Sequence, residues 1–293
     1  MSLTIGEGIV KTSAYLAGLG MPSARLEAEL LLAFVLDCGR VKLYQSWDQP
    51  LTPTEINAYR SVLRRRAQGV PLAYITGKKA FLNWDFQVDP SVLIPRPETE
   101  LLVETALSAI DDSGEEPRET RCVDLGTGSG VIAISLCKLR PGLEVDAVDL
   151  SEQALAVAAR NAELLGVGAS IRFWHGNFLA AVPEERVPGG FDVAVSNPPY
   201  IPSREITGLS PEVRCEPASA LDGGEDGLEA YREILTQLPG RLKVGGDLLV
   251  EHGFDQARPL KEMFQKAGFA VVTSLKDQAG FDRVLWGRRY RSD

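Results

Sequence analysis

Apolar residues recur at two different spacings, and the change of spacing divides the chain. Up to about residue 78 they recur every three to four positions, which is typical of amphipathic helices. Ser23 is a suitable N-cap for one helix, and Thr52 to Glu55 form a capping box with a proline that opens another. With a weaker amphipathic segment around Ile5 to Leu19, the pattern predicts a helical N-terminal domain of three short helices over residues 1–78.

From residue 121 onward, short apolar runs alternate with longer helical patterns. Alternation of this kind predicts a mostly parallel sheet with helices on both faces, an α/β fold with a Rossmann-like, seven-stranded sheet. The runs that we assign to strands are Cys122–Leu125, Val145–Val148, Ile171–Trp174, Phe191–Val195, Leu248–Val250, Phe269–Thr273 and Val284–Trp286.

Residues 79–95 separate the two patterns. Lys79 to Val88 is rich in aromatic and β-favouring residues, which predicts a short hairpin, and three prolines follow it. Pro97 can start a further helix, so we place the start of the second domain, residues 96–293, at this point. The polar segment from Asp111 to Thr120 is predicted to be a surface loop.

Composition narrows the possible functions. The formal net charge is −9, which excludes a uniformly basic nucleic-acid-binding surface. The chain has four dispersed cysteines and two histidines, so we expect no metal site, and isolated thiols of this kind are typical of a reducing compartment. No apolar stretch approaches the length of a bilayer span, so we expect a cytoplasmic protein that does not bind membranes.

A glycine-rich loop is the first motif that carries chemistry. Residues Asp124 to Gly130 read Asp-Leu-Gly-Thr-Gly-Ser-Gly between a predicted strand and a predicted helix, and glycines let a backbone turn sharply and approach a ligand. Asp149 ends the next strand, where a carboxylate can accept both hydroxyls of a ribose. The pair predicts a nucleoside-containing cofactor, either a nicotinamide dinucleotide or S-adenosylmethionine. The G-x-G-x-G spacing and the preceding Asp124 favour the methyl donor.

The second motif is Asn197-Pro198-Pro199-Tyr200, which follows the predicted strand Phe191–Ser196. Two prolines stiffen the turn and remove two backbone donors, so that the Pro198 carbonyl and the Asn197 side-chain oxygen can accept both hydrogens of a planar NH₂ group. Tyr200 offers a flat face for stacking. These acceptors return electron density to a weakly nucleophilic nitrogen and aim it at a methyl donor without a strong base.

The glycine loop, Asp149 and the Asn-Pro-Pro-Tyr turn together resemble amino-group methyltransferases that use S-adenosylmethionine. More specifically, the chain resembles the bacterial peptide chain release factor N5-glutamine methyltransferases over nearly its whole length. The further segments that carry the resemblance are Arg64–Arg66, Pro71–Gly77, Phe81–Phe86, Leu93–Glu100, Val213–Pro217, Glu251–Gly253 and Asp282–Val284.

The resemblance implies a methyltransferase sheet whose last two strands form an antiparallel hairpin at the edge. It also implies an activity: transfer of a methyl group from S-adenosylmethionine to the side-chain amide nitrogen of the glutamine in the Gly-Gly-Gln motif of class 1 release factors. S-adenosylhomocysteine would be the second product, and no metal would take part. The N-terminal domain would then be the natural surface for docking the protein substrate, and we expect a monomer.

The resemblance also assigns roles to residues. The methionine moiety of the donor would lie against Gly126, Thr127, Gly128, Ser129 and Gly130. Asp149 would hold the ribose, and Phe178 would pack near the adenine. Asn197 would touch both donor and glutamine and would act in catalysis with Pro198 and Tyr200, while Pro199 would complete the substrate-binding turn. Asn177 stands where many relatives have aspartate, and Arg96 and Glu98 are candidates for the substrate side.

Three alternatives remain open. An N6-adenine methyltransferase acting on nucleic acid would use the same turn to grip an exocyclic amine of a flipped base, although the net charge of −9 argues against it. A nicotinamide-dependent oxidoreductase would explain the glycines and Asp149 but would leave Asn197 to Tyr200 without a role. A non-catalytic module on a degenerate methyltransferase fold would not need both motifs intact.

Overall fold

The computed structural model describes residues 3–112 and 119–290, and it divides into two compact units. The first unit contains the described residues up to Gly77 together with Ser210–Cys215, and the second contains Lys78–Leu209 and the described residues from Glu216 onward. Most of the polar segment predicted as a surface loop, residues 113–118, lies outside the described part of the chain.

The first unit is helical. Its described residues form five helices instead of the three predicted, because two short ones follow the longer ones. Thr52 and Glu55 form the predicted capping box, whereas the Ser23 side chain makes no capping hydrogen bond. The helices are α1 (Ile5–Gly18), α2 (Ala24–Val35), α3 (Arg40–Gln45), α4 (Pro53–Ala67) and α5 (Leu72–Thr76).

A buried arginine explains why Ser210–Cys215 belongs to this unit. The Arg66 side chain is 2% exposed, and its guanidinium donates to both carboxylate oxygens of Glu27, at 2.5 and 3.1 Å. The same guanidinium donates to Glu212 at 2.5 Å. A buried charge needs compensating partners, so Glu27 joins α2 to α4 and Glu212 joins the distant segment to α4. Arg66 is therefore not available to a partner protein, whereas Arg64 and Arg65 are exposed.

The second unit contains all seven strands predicted from residue 121 onward, each extended by one or more residues beyond its apolar run. Its strands are β1 (Lys78–Phe81), β2 (Trp84–Gln87), β3 (Arg121–Leu125), β4 (Glu144–Asp149), β5 (Ile171–His175), β6 (Phe191–Ser196), β7 (Leu242–Glu251), β8 (Phe269–Lys276) and β9 (Asp282–Arg289). Its helices are α6 (Thr99–Asp112), α7 (Val131–Leu139), α8 (Glu152–Leu164), α9 (Ser203–Ile206), α10 (Glu229–Gln237) and α11 (Ala257–Lys266).

The described residues of the second unit form a seven-stranded sheet in the order β5-β4-β3-β6-β7-β9-β8. The first five strands in this order are parallel, and β9 is antiparallel to both β7 and β8. The prediction of a mostly parallel sheet with an antiparallel hairpin at its edge is confirmed. The chain reverses its strand order beside β3, so the carboxyl ends of β3, β4 and β6 form a crevice of the kind in which open α/β sheets bind ligands.

Both faces of this sheet are buried, which is why its strands are almost continuously apolar. On one face, Cys122 and Leu249 pack in a hydrophobic cluster with residues of α6 and α7. On the other face, Val123 and Leu248 pack with residues of α10 and α11.

The β1–β2 hairpin was predicted within a linker of residues 79–95, but it belongs to the second unit and packs against other elements of that unit. The Asn161 side chain on α8 bonds both the backbone N–H and the carbonyl of Gln87, at 2.7 and 3.0 Å. Phe81 and Phe86 join the cluster that contains α6. The compact unit therefore begins at Lys78.

Across the described ranges, no helix is both long and apolar enough to cross a membrane. In the same residues, no group of three or more histidine, cysteine or acidic side chains is placed to hold a metal ion. The four cysteines are free thiols, of which only Cys215 is exposed.

Candidate active site

An open pocket lies at the carboxyl ends of β3, β4 and β6. Both sequence motifs contribute to it, through the glycine loop, Asp149 and the Asn-Pro-Pro-Tyr turn. The predicted site residues that line it are Gly126, Thr127, Gly128, Ser129, Asp149, Asn197 and Pro199. The fold therefore brings together two motifs that are about seventy residues apart in the sequence.

The glycine loop is held from below by Asp124. This side chain is fully buried, and its Oδ2 accepts from the Thr127 hydroxyl at 2.7 Å and from the Ala133 N–H at 3.2 Å. Burial raises the pKa of Asp124 to about 7, although these two hydrogen bonds oppose the shift. Asp124 thus supports the loop and does not line the pocket.

The loop backbone is open to a ligand but is not arranged to bind a phosphate. A Cβ added at Gly126 or Gly128 would meet no atom within 4 Å, so a ligand has room against the backbone. The N–H groups of Gly126 and Thr127 already donate to the Val148 carbonyl at 2.8 and 2.9 Å. Gly128 donates to the Asp149 carboxylate at 2.8 Å. A pyrophosphate site needs such N–H groups to point at the ligand, so the loop fits a nucleoside donor better than a dinucleotide.

Asp149 has the geometry that a ribose acceptor needs. One carboxylate oxygen accepts from Gly128 N–H at 2.8 Å and the other from Ser151 N–H at 2.9 Å. Each oxygen of a carboxylate has a second lone pair, so two acceptor positions remain beside the pocket. Burial raises the pKa of Asp149, while the backbone N–H groups of Ser151, Gly128 and Leu150 and the nearby His175 oppose the shift.

The Asn-Pro-Pro-Tyr turn continues β6 into the pocket. Asn197 and Pro199 line the pocket, Pro198 is buried, and Tyr200 packs partly against the hydrophobic cluster that contains α10. Burial raises the pKa of Tyr200 to about 12, so its phenol stays neutral at physiological pH. The Gln256 side-chain amide donates to the Tyr200 carbonyl at 2.9 Å and fixes the end of the turn.

Two residues behind Asn197 were not recognised as site residues from the sequence. The Asn197 amide nitrogen donates to the Thr99 hydroxyl at 3.1 Å, and that hydroxyl donates to the Glu251 carboxylate at 2.7 Å. Both partners are buried, although Thr99 also contributes to the pocket lining. The resemblance to the methyltransferase family covered the segments that contain them, but only the fold places the two side chains against Asn197.

The segment after β2 and the segment before α10 form the remaining wall of the pocket. The Glu216 carboxylate is buried and joins the two, because it accepts from the Ile94 N–H at 3.0 Å and from Arg96 at 2.5 Å. Arg96, considered for the substrate side, does line the pocket. The wall residues that sequence reasoning did not single out are Ser91, Val92, Leu93, Pro95, Pro217, Ser219 and Ala220.

Gly130 and Phe178 were both predicted to contact the methyl donor, but neither lines this pocket in the described part of the chain. Gly130 instead supports close packing, since an added Cβ would approach Ile134 to 2.8 Å. Phe178 packs partly against the cluster that contains α10 and has a left-handed backbone, with φ of +46°. Its segment starts next to the site, because the Gly176 N–H donates to the Asp149 carbonyl at 2.9 Å. Asn177 donates its amide N–H to Glu233, which leaves its oxygen as the acceptor.

Comparisons with known proteins agree with this architecture. The PrmC N-terminal domain model matches residues 9–77, and the Methyltransferase small domain model matches residues 98–210. The release factor glutamine methyltransferase of Geobacter sulfurreducens is 44% identical over 286 residues, which cover 97% of this chain and 96% of that protein. The protein of the same name from Moorella thermoacetica is 40% identical over 289 residues, with 98% and 99% covered.

Solved structures share the fold at much lower identity. The catalytic domain of hMettl16, solved in complex with a MAT2A 3′UTR hairpin, superposes with a TM-score of 0.57 at 17% identity and covers 82% of this chain and 83% of that one. Identity at this level relates the folds alone. The relatives at 40% or more over nearly the whole chain decide the family. The chain therefore belongs to the release factor glutamine methyltransferase family.

Proposed function

We propose that this protein transfers a methyl group from S-adenosylmethionine to the side-chain amide nitrogen of the glutamine in the Gly-Gly-Gln motif of class 1 peptide chain release factors. The observation that carries the proposal is that one pocket is lined both by the glycine loop with Asp149 and by Asn197. Membership in the release factor glutamine methyltransferase family supports the identity of the substrate.

The donor half of the pocket consists of the glycine loop and Asp149. When bound, S-adenosylmethionine supplies a methyl group on a positively charged sulfur, which becomes a neutral thioether after transfer. Gly126, Thr127, Gly128 and Ser129 would hold the methionine part, and the two remaining acceptor positions of Asp149 would hold the ribose hydroxyls. Phe178 would lie near the adenine, and its left-handed backbone is a strain of the kind that proteins retain at ligand sites.

The acceptor half consists of the Asn-Pro-Pro-Tyr turn. The Asn197 Oδ1 and the Pro198 carbonyl would each accept one N–H of the substrate amide, and Tyr200 with Pro199 would hold its plane. With both hydrogens bound to acceptors, the nitrogen gains electron density and keeps one orientation toward the donor. The turn therefore works by positioning and by electrostatics, with no base of its own. The proton lost from the methylated nitrogen would pass to solvent through the open pocket.

We further propose that the protein acts as a monomer in the cytoplasm and does not need nucleic acid. The dispersed free cysteines support a reducing compartment such as the cytoplasm, and the net charge of −9 argues against a nucleic-acid partner. The helical first unit would dock the release factor. Arg64 and Arg65 are available for this purpose because their side chains are exposed.

A methyl-transfer assay tests the proposal. Labelled S-adenosylmethionine is incubated with the protein and a class 1 release factor, with a release factor whose Gly-Gly-Gln glutamine is replaced by alanine, or with nucleic acid. We expect label on the first substrate alone. Label on nucleic acid would contradict the proposal and would favour the N6-adenine methyltransferase, whose exocyclic amine fits the same acceptors.

A further inference from the structure

A short chain of buried polar side chains lies behind Asn197. Thr99 is the first residue of α6 and is 2% exposed, and Glu251 is the last residue of β7 and is 1% exposed. The Thr99 hydroxyl is 2.7 Å from a Glu251 carboxylate oxygen and 3.1 Å from the Asn197 amide nitrogen. The chain therefore runs from the end of one strand, through the start of a helix, to the predicted catalytic turn.

The chemistry of the three groups decides which of them donates and which accepts in each hydrogen bond of this chain of side chains. An ionised carboxylate can only accept hydrogen bonds, so Glu251 obliges Thr99 to donate. A threonine hydroxyl has a single hydrogen, and once that hydrogen is committed the oxygen can only accept. Asn197 must then present its NH₂ group to Thr99. The opposite side of the Asn197 amide, the oxygen Oδ1, is left to face the pocket that Asn197 lines.

We propose that Glu251 and Thr99 are positioning residues that hold the Asn197 amide with its oxygen toward the substrate nitrogen. This inference rests on the proposed function, in which Asn197 accepts an N–H of the target amide. Rotating the Asn197 amide by 180° would present its own NH₂ to the substrate NH₂, and two donors cannot bond each other. The hydrogen bonds between Glu251, Thr99 and Asn197 thus select a substrate group that donates hydrogen bonds, such as a primary amide or amine.

The charge state of Glu251 decides whether Asn197 donates to Thr99 and Thr99 donates to Glu251, as described above. Burial raises its pKa to about 7, and the negative Glu98 adds to the shift, whereas Thr99, Arg283 and Asn197 oppose it. Two phenols also interact electrostatically with this carboxyl: the half-buried Tyr200, and the buried Tyr231, which donates to the Glu251 backbone carbonyl at 2.8 Å. A protonated Glu251 can donate to the Thr99 oxygen, and the Thr99 hydrogen is then free to bond the Asn197 oxygen. Turnover should accordingly fall as the pH is lowered through about 7.

Substitutions at Thr99 test the chain at its centre. Thr99→Val keeps the shape but removes the hydroxyl, whereas Thr99→Ser keeps the hydroxyl. We expect Thr99→Val to lower kcat roughly thirtyfold, which is somewhat less than the loss of a preorganised group that contacts the reacting atoms directly. The KM for the release factor and the Kd for S-adenosylhomocysteine should both stay within about twofold of wild type. Thr99→Ser should stay within about threefold of wild type.

Thr105→Val is the matched control. Thr105 lies on the same helix, is 5% exposed, and donates only to the Leu101 carbonyl, so its loss removes a buried hydroxyl without touching Asn197. We expect wild-type kcat in this variant. If Thr99→Val matched the control, or if Thr99→Ser lost as much activity as Thr99→Val, the positioning role would be wrong.

Glu251→Gln tests the direction of the chain in a second way. Glutamine can either donate to or accept from Thr99, so the obligate direction is lost while the volume is kept. We expect a lower kcat in this variant. Its kcat should also lack the fall that we expect for wild type as the pH is lowered through about 7. Asp247→Asn, on the same strand and 3% exposed, is the control for loss of a buried carboxylate, and it should keep the wild-type limb.

Wild-type enzyme in the same assay distinguishes failure of the proposed function from failure of the positioning role. If wild type did not methylate the release factor, the proposed function and this inference would both fail. If wild type methylated it with a kcat that does not change between pH 6 and 8.5, and Thr99→Val turned over normally, the positioning inference alone would be overturned. Melting temperature and donor affinity of each variant establish that a lost kcat does not come from unfolding.

Discussion

Replacing Asp149 should weaken donor binding by an amount that the contacts of its carboxylate set. In the structure each oxygen accepts one backbone N–H, from Gly128 and from Ser151, and keeps one free acceptor position. Asp149→Ala removes both positions for the ribose hydroxyls. Each hydrogen bond to a charged group contributes about 1.5–3 kcal/mol, so loss of the two should cost about 3–6 kcal/mol and lower donor affinity roughly 150-fold or more.

Titration calorimetry with S-adenosylhomocysteine measures this loss without turnover. Asp146→Asn is the matched control, because Asp146 is a buried carboxylate on the same strand that accepts from the Trp174 indole and is not in the pocket lining. It should bind the ligand as wild type does. Asp149→Asn should fall between wild type and Asp149→Ala, since it keeps one acceptor oxygen.

A ligand without the ribose 2′-hydroxyl closes a double-mutant cycle. This analogue should bind wild type more weakly than S-adenosylhomocysteine, but it should lose much less on the change of Asp149 to alanine, because one shared contact is already absent. Equal losses for both ligands would show that Asp149 does not contact that hydroxyl. Unchanged affinity of a folded Asp149→Ala variant would refute the assignment altogether.

Further predictions concern the loop, the buried acid and the turn. Gly130→Ala should destabilise the protein by about 2–4 kcal/mol in denaturant titrations, because the residue has φ of +85° and the new Cβ would approach Ile134 to 2.8 Å and Ala158 to 3.1 Å. Glu251 has its pKa raised from 4.5 to about 7, so its ionisation opposes folding. As the pH rises from about 4.5 to about 7, the Glu251→Gln variant should therefore gain about 3 kcal/mol in free energy of unfolding relative to wild type, and the difference should stay constant above that range. Asn197→Ala should lower kcat roughly a hundredfold or more while keeping much of the donor affinity, measured by single-turnover kinetics and calorimetry. Asn197→Asp should also be slow; wild-type turnover in either Asn197 variant would reduce the residue to a packing role.

The fold was predictable because its signals are local. Apolar runs such as Cys122–Leu125 mark strands that are buried on both faces, and the spacing between runs leaves room for the crossover helices. The capping box at Thr52 and Glu55 is equally local and forms as predicted. Ser23 illustrates the limit of such reasoning: it directly precedes α2 as an N-cap should, yet its side chain makes no capping bond.

The candidate site was predictable only in part, because some of its contacts join distant residues. The glycine loop and the Asn-Pro-Pro-Tyr turn each carry their chemistry within a few residues, and both line the pocket. Thr99 and Glu251 are 152 positions apart, and neither is unusual in its own segment. The same holds for Arg66 and Glu212, whose ion pair joins the segment Ser210–Cys215 to α4. Pairings of this kind depend on the tertiary fold.

The most direct test of the account is to locate the transferred methyl group. A class 1 release factor is treated with the protein and S-adenosylmethionine, digested, and analysed by fragmentation mass spectrometry. We predict one methyl group on the side-chain amide nitrogen of the Gly-Gly-Gln glutamine, and roughly a hundredfold less methylation, or lower still, when Asn197→Ala protein is used for the same time. A methyl group on any other residue of the release factor, or none in the presence of active wild-type protein, would contradict it.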